Sequence, residues 1–141
     1  INNIKNVLSV NLIAPVMIIE TVVEKMKQKE CGHILNISSI GSKYGSNSDN
    51  IFYGITKRGI ESSAKSFARE LAKYNILVNS IRPGVTNTDF YKKLGKNIDQ
   101  RINLIPLKRA MEPDELAKYI FFMCTENTYI TNEIITIAGG E

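Results

Sequence analysis

The sequence predicts an α/β fold, a doubly wound parallel sheet that is incomplete at its N-terminal side. The first observation is that long segments with apolar residues at spacings of three and four alternate with short apolar runs, as helices alternate with buried strands. The second is that a long helical segment separates successive apolar runs. Such a helical crossover is right-handed and makes the strands that it connects parallel. The third is that serine, glycine and proline residues follow the ends of the runs, at the edge where open α/β sheets bind ligands.

Helical periodicity accounts for the long segments. It covers residues 3–29, where Pro15 predicts a kink or break near Asn11 because proline has no backbone N–H to donate. A second long helix is predicted over residues 52–74. A third is predicted over residues 112–124, with a proline in its first turn and acidic residues at the positive end of the helix dipole.

Short apolar runs predict the strands, over residues 33–38, 76–81 and 134–138. The glycine-, serine- and asparagine-rich residues 39–50 predict a loop after the first strand. Residues 85–110, after the second strand, exceed an ordinary connection and predict a functional lid with a short helix near residues 97–104. A substrate would then lie beneath this segment.

Length and composition are those of one globular domain. The chain has 141 residues, of which 43% are hydrophobic and 23% charged, which excludes disorder, collagen and a disulfide scaffold as descriptions of the whole chain. The net charge is +4, but the basic residues are scattered, so nucleic acid is not expected as a partner. The longest apolar run, residues 12–19, is shorter than the about 20 residues of a membrane-spanning helix, so no span is expected.

The cysteines and the histidine predict neither a disulfide nor a metal site. Cys31 and Cys124 form no CxxC pair, and His33 is the only histidine, so a reduced cytoplasmic protein is expected. The chain opens on Ile1, inside a predicted helix and without a capping residue. We therefore expect that a segment upstream of Ile1 is missing and that it would cover an otherwise open sheet edge.

Tyr53 and Lys57 are the clearest candidates for chemistry. They lie four residues apart in the second predicted helix and so share one face. A free tyrosine has a pKa of about 10, and a nearby ammonium would stabilise its phenolate, so the pair could transfer a proton to or from an oxygen atom. The spacing alone is a weak signal, since a surface pair would show it too. The context strengthens it, because Ser38 and Ser39 end the strand upstream and a strand ending in Pro-Gly follows downstream.

A series of further segments occurs in a fixed order along nearly the whole chain. They are V-N-L around Asn11, N-I-S-S ending at Ser39, Y-G-I-T-K from Tyr53 to Lys57, V-N-S-I-R-P-G with Thr88-Asp89, E-P-D-E-L-A from Glu112, and Y-I-T from Tyr129 followed by Gly139-Gly140. In these segments the chain closely resembles the short-chain dehydrogenase/reductase family. The resemblance implies a Rossmann-like domain, with residues 1–141 as its catalytic C-terminal part.

The resemblance also implies an NAD(P)-dependent oxidoreductase that interconverts a ketone and a secondary alcohol by hydride transfer. Tyr53 would be the general acid/base, and Lys57 would assist it. Ser39, with Ser38 as the alternative, would hydrogen-bond the substrate carbonyl. Asn11 would hold a water molecule that links Lys57 to solvent.

The cofactor-binding residues implied by the resemblance follow the second strand and the helix. Pro83, Gly84 and Val85 would line the nicotinamide, and Thr88 would reach its carboxamide or the phosphates. Lys57 would also hold the ribose hydroxyls, with Tyr53 beside it at the cofactor.

The chain departs from the family in several places. The glycine-rich turn T-G-x-x-x-G-x-G and the N-N-A-G strand are absent from the sequence, so the choice between NAD and NADP stays open. Asn132 stands where glycine commonly follows the threonine, and asparagine tolerates a positive φ better than most residues. Ala138 replaces a frequent aspartate before Gly-Gly.

Several functions remain compatible with these motifs. The ending and the helix pattern resemble reductases that act on 3-oxoacyl groups carried by acyl carrier protein, but sugar and polyol dehydrogenases share the same motifs. An epimerase or dehydratase of the same fold and a non-catalytic binding protein are the remaining alternatives. A small carbonyl or alcohol substrate is expected in the leading interpretation.

The two long helices also predict self-association. They carry apolar or small residues beyond the face that a sheet needs, among them Ile60, Ala64, Phe67, Ala68 and Leu71. In the family the equivalent helices pack against their symmetry mates. A homodimer or homotetramer is therefore expected.

Overall fold

The computed structural model describes residues 2–45, 50–89 and 97–141. In chain order the elements are α1 (Asn2–Leu8), a π-helical turn (Ser9–Ile13), α2 (Ala14–Lys29), β1 (Gly32–Ile37), α3 (Gly41–Tyr44), α4 (Ile51–Leu71), a 3-10 turn (Ala72–Tyr74), β2 (Ile76–Pro83), α5 (Ile98–Ile102), α6 (Pro113–Phe121), a second π-helical turn (Phe122–Glu126) and β3 (Ile134–Ile137). The predicted alternation of long helices and short strands is confirmed.

The described strands form one parallel sheet in the order β1-β2-β3. Ile37 pairs with Ile81, and Ile81 pairs with Ile135. The carboxyl ends of β1 and β2 therefore lie side by side, and the residues that follow these strands meet at one edge of the sheet. This is the arrangement that the sequence predicts.

Helices cover both faces of the sheet, so the fold is doubly wound. On one face Ile34 and Val78 pack with α2 and α4 in a core of Ile19, Val23, Ile34, Ala64, Ala68, Leu71, Ile76 and Val78. Neighbouring residues of a strand point to opposite faces, and the Nε2 of His33 lies 2.7 Å from the carbonyl oxygen of Asn127 on the other face. The second π-helical turn packs on β1 from that side.

The core corrects one argument from the sequence. Ile60, Ala64, Ala68 and Leu71, predicted to lie at a subunit interface, are each no more than 2% exposed, and Ala64, Ala68 and Leu71 belong to the sheet-facing core. Phe67 packs against that core and is partly buried. The exposed apolar residues of these helices are others, namely Val10, Ile13, Met17, Ile18, Ile51, Phe52 and Ile55. The predicted interface residues were wrong because periodicity alone does not reveal which face meets the sheet.

The predicted irregularity near Asn11 is a π-helical turn. Here the N–H of Ala14 donates to the carbonyl of Ser9, five residues back instead of four. Pro15 explains the turn, because it cannot donate to the carbonyl of Asn11 four residues earlier. The helical run Ile4–Lys29 is long and apolar enough to cross a membrane, although core helices of soluble proteins pass the same test. The sequence argument missed this because it counted uninterrupted apolar runs.

The connection after β1 is not wholly a loop, since Gly41–Tyr44 forms a short helix. The rest of that predicted loop includes residues 46–49, which lie outside the described residues.

The segment after β2 is tied down by a second small core. Val85, Ile105 and Ala110 are its buried members, with Ile98 and Ile102 packed against them. A backbone hydrogen bond of 2.9 Å from Met111 N to Val85 O closes the segment into a loop. The short predicted helix is confirmed as Ile98–Ile102, and residues 90–96 of the predicted lid lie outside the described residues.

Candidate active site

Lys57 is brought to the end of β1 by α4. Its ammonium donates a hydrogen bond of 2.8 Å to the carbonyl oxygen of Ile37, the last residue of β1. The same nitrogen lies 5.7 Å from the centroid of the Tyr53 ring. Tyr53 and Lys57 are both half-buried, and burial lowers the pKa of the Lys57 ammonium. The structure therefore brings together the pair that the spacing predicts, at the edge of the sheet.

Two neighbouring residues of α4, Gly54 and Thr56, explain how Tyr53 and Lys57 are oriented. Gly54 and Thr56 turn inward and are buried, and the hydroxyl of Thr56 donates a hydrogen bond of 2.8 Å to the carbonyl oxygen of Tyr53. With these small residues against the protein, Tyr53 and Lys57 lie on the flank of the helix. From there the Lys57 ammonium reaches the end of β1, with the Tyr53 ring beside it.

The two serines that follow β1 have different environments. Ser38 is 3% exposed, and its hydroxyl donates a hydrogen bond of 2.5 Å to Oε1 of Glu61. Ser39 is half-buried, and its Oγ accepts a hydrogen bond of 3.2 Å from the N–H of Gly41. An oxygen that accepts such a bond keeps its own proton for another partner. The geometry thus favours Ser39 over Ser38 as a donor to a substrate oxygen.

Glu61 is a site residue that the sequence analysis missed. Its side chain is buried between the helix and the sheet, and the residue is 1% exposed. Arg82 donates 2.7 Å hydrogen bonds from Nε to Oε1 and from Nη2 to Oε2, and Arg58 donates to Oε2 at 3.1 Å. Ser42 also bonds Oε1. A sequence signal existed, because Glu61 lies at helical spacing from Ala64 and Ala68 on the apolar face.

The charge of Glu61 is strongly stabilised in the folded protein. Burial alone would raise the pKa of this carboxyl group, but hydrogen bonds from Arg82, Ser38 and Ser42 outweigh it, and the pKa falls from 4.5 to about 2. The same pairing raises the pKa of the Arg82 guanidinium. The carboxylate is therefore ionised at every pH at which the protein would work.

Asn11 lies on the π-helical turn that packs against α4. The turn approaches α4 closely at Gly59, where an added Cβ would lie 3.0 Å from Cδ1 of Leu12. Asn11 itself is half-buried. The structure thus places Asn11 on a turn that packs against the helix of Tyr53 and Lys57, and its link to Lys57 through water stays a prediction.

The predicted cofactor-binding segment follows β2 at the same edge. The carbonyl of Pro83 accepts a hydrogen bond of 3.0 Å from Ile40 N, and the N–H of Gly84 donates one of 2.8 Å to Ile137 O. Val85 is 2% exposed, its side chain packs into the second core, and its carbonyl oxygen accepts the hydrogen bond from Met111 N. Thr88 is exposed.

Asn79, in the segment before Pro83-Gly84, connects β2 to the turn before β3. The side-chain amide of Asn79 donates a hydrogen bond of 2.7 Å to Ile130 O, and its Oδ1 accepts one of 3.1 Å from Glu133 N. Thr131 Oγ1 accepts a hydrogen bond of 3.1 Å from Val78 N. These bonds join β2 to the turn before β3.

Residues 1–141 match the protein family described as Enoyl-(Acyl carrier protein) reductase. The 3-oxoacyl-[acyl-carrier-protein] reductase FabG of Aquifex aeolicus is 38% identical over 138 residues, which cover 96% of this chain and 55% of that protein. Carbonyl reductase family member 4 of Xenopus tropicalis is 36% identical over 138 residues, covering 98% of this chain and 57% of that protein. The chain thus spans about half the length of these curated relatives.

Solved structures share the fold. A 3-oxoacyl-[acyl-carrier protein] reductase with bound NAD from Brucella melitensis superimposes with a TM-score of 0.84 at 28% identity, over 99% of this chain and 52% of that one. The structure of ElxO with NADP bound superimposes with a TM-score of 0.84 at 27% identity, over 92% of this chain and 54% of that one. Both proteins bind a nicotinamide dinucleotide.

Proposed function

Because the chain belongs to the short-chain dehydrogenase/reductase family, we propose that residues 1–141 are the catalytic C-terminal part of a single Rossmann-like domain in an NAD(P)-dependent oxidoreductase. The enzyme interconverts a ketone and a secondary alcohol. The observation that carries this proposal is the position of Lys57, which is hydrogen-bonded to Ile37 O at 2.8 Å and lies 5.7 Å from the Tyr53 ring centroid.

Tyr53 is the general acid/base of the proposed reaction. Its hydroxyl donates a proton to the carbonyl oxygen during reduction and accepts one from the alcohol during oxidation. The nearby ammonium of Lys57 stabilises the phenolate that remains when the proton has left. When it is bound, the cofactor supplies or accepts the hydride.

Ser39 and Asn11 complete the proposed catalytic set. Ser39 orients the substrate by a hydrogen bond to its carbonyl oxygen, and it is favoured over Ser38 because Glu61 occupies the hydroxyl of Ser38. Asn11 lies on a turn against α4, and in this proposal it holds a water molecule that links Lys57 to solvent.

The side chains at this edge fit the nicotinamide end of the cofactor. The Lys57 ammonium is suited to ribose hydroxyls, with Tyr53 beside it. Pro83 ends β2, and Gly84, Val85 and Thr88 follow it at the same edge, where these residues would line the nicotinamide. The chain contains no glycine-rich turn for the pyrophosphate, and in this proposal that turn belongs to the preceding part of the protein. Relatives in the fold family hold NAD in one structure and NADP in another.

We propose a 3-oxoacyl group carried as a thioester as the leading substrate class, because the Aquifex aeolicus relative carries that activity in its name. The test is a nicotinamide-oxidation assay of the full-length protein with 3-oxoacyl thioesters, alongside ketoses and other ketones. Oxidation of the reduced cofactor in the presence of 3-oxoacyl thioesters supports that substrate class. Oxidation of the cofactor with ketoses alone supports the sugar or polyol alternative. No oxidation with any carbonyl compound would overturn the enzymatic proposal and favour a binding protein.

Self-association and a cytoplasmic location are part of the same proposal. Exposed apolar residues lie on the helices that flank the site, including Val10, Met17 and Ile55, and a second copy would remove them from water. A homodimer or homotetramer is expected from light scattering of the full-length protein, and a monomer at tens of micromolar would contradict it. The free thiols of Cys31 and Cys124 are consistent with a reducing compartment.

A further inference from the structure

We propose that Glu61 and Arg82 are positioning residues for hydride and proton transfer. They hold three parts of the site at fixed distances from one another, namely residues 38–42 (the serine loop), the Tyr53–Lys57 helix and the Pro83–Val85 segment. The inference rests on the proposed function and extends it to two residues outside the predicted catalytic set. Neither side chain is placed to touch a substrate, because Glu61 is 1% exposed and both of its oxygens accept hydrogen bonds from Arg82. They would act through the groups that they hold.

Glu61 joins elements that are separate in the chain. It lies on α4, and it bonds Ser38 at the end of β1, Ser42 on α3 and Arg82 near the end of β2. Both oxygens of the carboxylate are used, since Arg82 binds them as a fork. One side chain thus fixes the distance between the two strand ends and the helix above them.

Two partners of Glu61, Ser38 and Arg82, directly precede residues of the proposed site. Ser38 directly precedes Ser39, and its Oγ lies 3.1 Å from the carbonyl oxygen of Lys57. Arg82 directly precedes Pro83, the first of the residues proposed to line the nicotinamide. A shift of the Glu61 carboxylate would therefore move Ser39 and the segment from Pro83 to Val85 relative to the helix that carries Tyr53.

Ser42 fixes the backbone of the serine loop as well. Its N–H donates a hydrogen bond of 2.9 Å to the carbonyl oxygen of Ser39, and its Oγ lies 2.7 Å from the same oxygen. The Nε of Arg82 lies 3.1 Å from that Oγ. The short helix α3 is thus anchored to the Glu61–Arg82 pair on one side and to Ser39 on the other.

Stability alone is a weak reason for such a pair. Desolvation of two buried charges offsets much of their attraction, and apolar residues of similar volume often replace a buried ion pair without loss of stability. A pair of apolar side chains would fill the space but would not hold two strand ends at fixed hydrogen-bond distances. The geometric interpretation therefore makes a prediction that a purely structural role does not.

The experiment compares the wild-type full-length protein with the double variant Glu61→Leu/Arg82→Met and with Arg82→Lys. Melting temperature, cofactor dissociation constant, kcat, KM and the deuterium isotope effect on kcat from labelled nicotinamide cofactor are measured. We expect the double variant to melt close to wild type and to bind cofactor normally, with kcat lower by about 10- to 100-fold, as expected when reacting groups are misplaced. The isotope effect should rise, because the chemical step becomes slower than product release.

Arg82→Lys keeps a positive charge but loses the forked geometry, so it should fold and lose part of kcat. The matched control is Glu24→Gln, which breaks the Glu24–Lys27 pair near the end of α2, joined by a hydrogen bond of 3.0 Å on the side where β1 begins. Its kcat and isotope effect should equal those of wild type. If the double variant does not fold, Arg82→Lys decides the question by the same readouts.

Wild-type kcat and isotope effect in a folded double variant, or in Arg82→Lys if the double variant does not fold, would overturn this inference and leave the proposed function intact. An inactive wild-type protein would overturn the proposed function, and the inference with it. Reduced activity in the Glu24→Gln control to the same degree would show that any lost ion pair impairs the enzyme, which also contradicts a specific positioning role.

Discussion

The ammonium of Lys57 is anchored 2.8 Å from the backbone carbonyl oxygen of Ile37, which joins the middle of α4 to the last residue of β1. A lysine on a helix surface would ordinarily move freely in water. Here the ammonium nitrogen is held at the edge of the sheet, beside the ring of Tyr53. The fold therefore positions the Lys57 ammonium beside Tyr53 through this hydrogen bond.

Lys57→Met should lower activity and cofactor affinity together. The variant removes the charge that stabilises the Tyr53 phenolate and the donor that would hold the ribose, so kcat should fall by about 10²–10⁴, the contribution of acid–base catalysis. Lys57→Arg keeps the charge in a planar, forked shape and should restore only part of the rate. Steady-state kinetics and cofactor titration of the full-length variants measure both effects. Unchanged cofactor affinity in Lys57→Met would contradict the second role.

Glu61 should make the stability of the fold depend on pH in the acid range. Its pKa in the folded protein is about 2 against an ordinary 4.5, so the carboxylate stabilises the fold fully above about pH 4.5. That stabilisation, on the order of 3 kcal/mol, is lost as the pH falls toward 2. Urea unfolding of the full-length protein at a series of pH values across this window measures the loss.

Glu61→Gln is the control for this pH dependence. Glutamine does not titrate, so the variant should lose less free energy of unfolding between pH 4.5 and 2 than wild type does. At neutral pH the variant should be less stable, because Arg82 loses its charged partner. Equal slopes in the two proteins would mean that other carboxylates govern the acid transition.

Gly84→Ala should destabilise the protein because the strand ends approach closely there. An added Cβ would lie 2.8 Å from Cα and 2.9 Å from Cβ of Ala138, and the backbone of Ala138 cannot move without moving the end of β3. We expect a loss of about 1–3 kcal/mol, as for overpacked cores. Chemical denaturation of the full-length variant provides the measurement.

Gly59→Ala is the matched comparison. There the added Cβ would lie 3.0 Å from Cδ1 of Leu12, the end of a flexible side chain. Alanine also favours the helix over glycine by up to about 1 kcal/mol, which offsets the repacking of Leu12. A Gly59→Ala variant that is less stable than Gly84→Ala would contradict this account of the two contacts.

Much of the site was predictable because its residues are tied to sequence features with a direct structural cause. Pro15 predicts the irregular turn at Asn11, since a proline removes one backbone donor. Asn132 was expected to tolerate a positive φ, and its φ is 65°. The i, i+4 spacing of Tyr53 and Lys57 fixes their common face on any regular helix.

What could not be predicted depends on which helix face meets the sheet. Ile60 and Leu71 were expected at a subunit interface but are buried in the core, because apolar spacing marks a buried face without naming its partner. Glu61 was overlooked for a related reason. A carboxylate in a helix is usually solvated, and only the three-dimensional position of Arg82, 21 residues later, makes its burial possible.

Tyr53→Phe in the full-length protein tests the central claim most directly. The variant keeps the ring beside Lys57 and removes only the hydroxyl, so the fold and the dissociation constant for the nicotinamide cofactor should match wild type. The rate of carbonyl reduction should fall by about 10²–10⁴. A Tyr53→Phe variant that kept more than about a tenth of the wild-type rate, against that expected loss, would contradict the assignment of Tyr53 as the general acid.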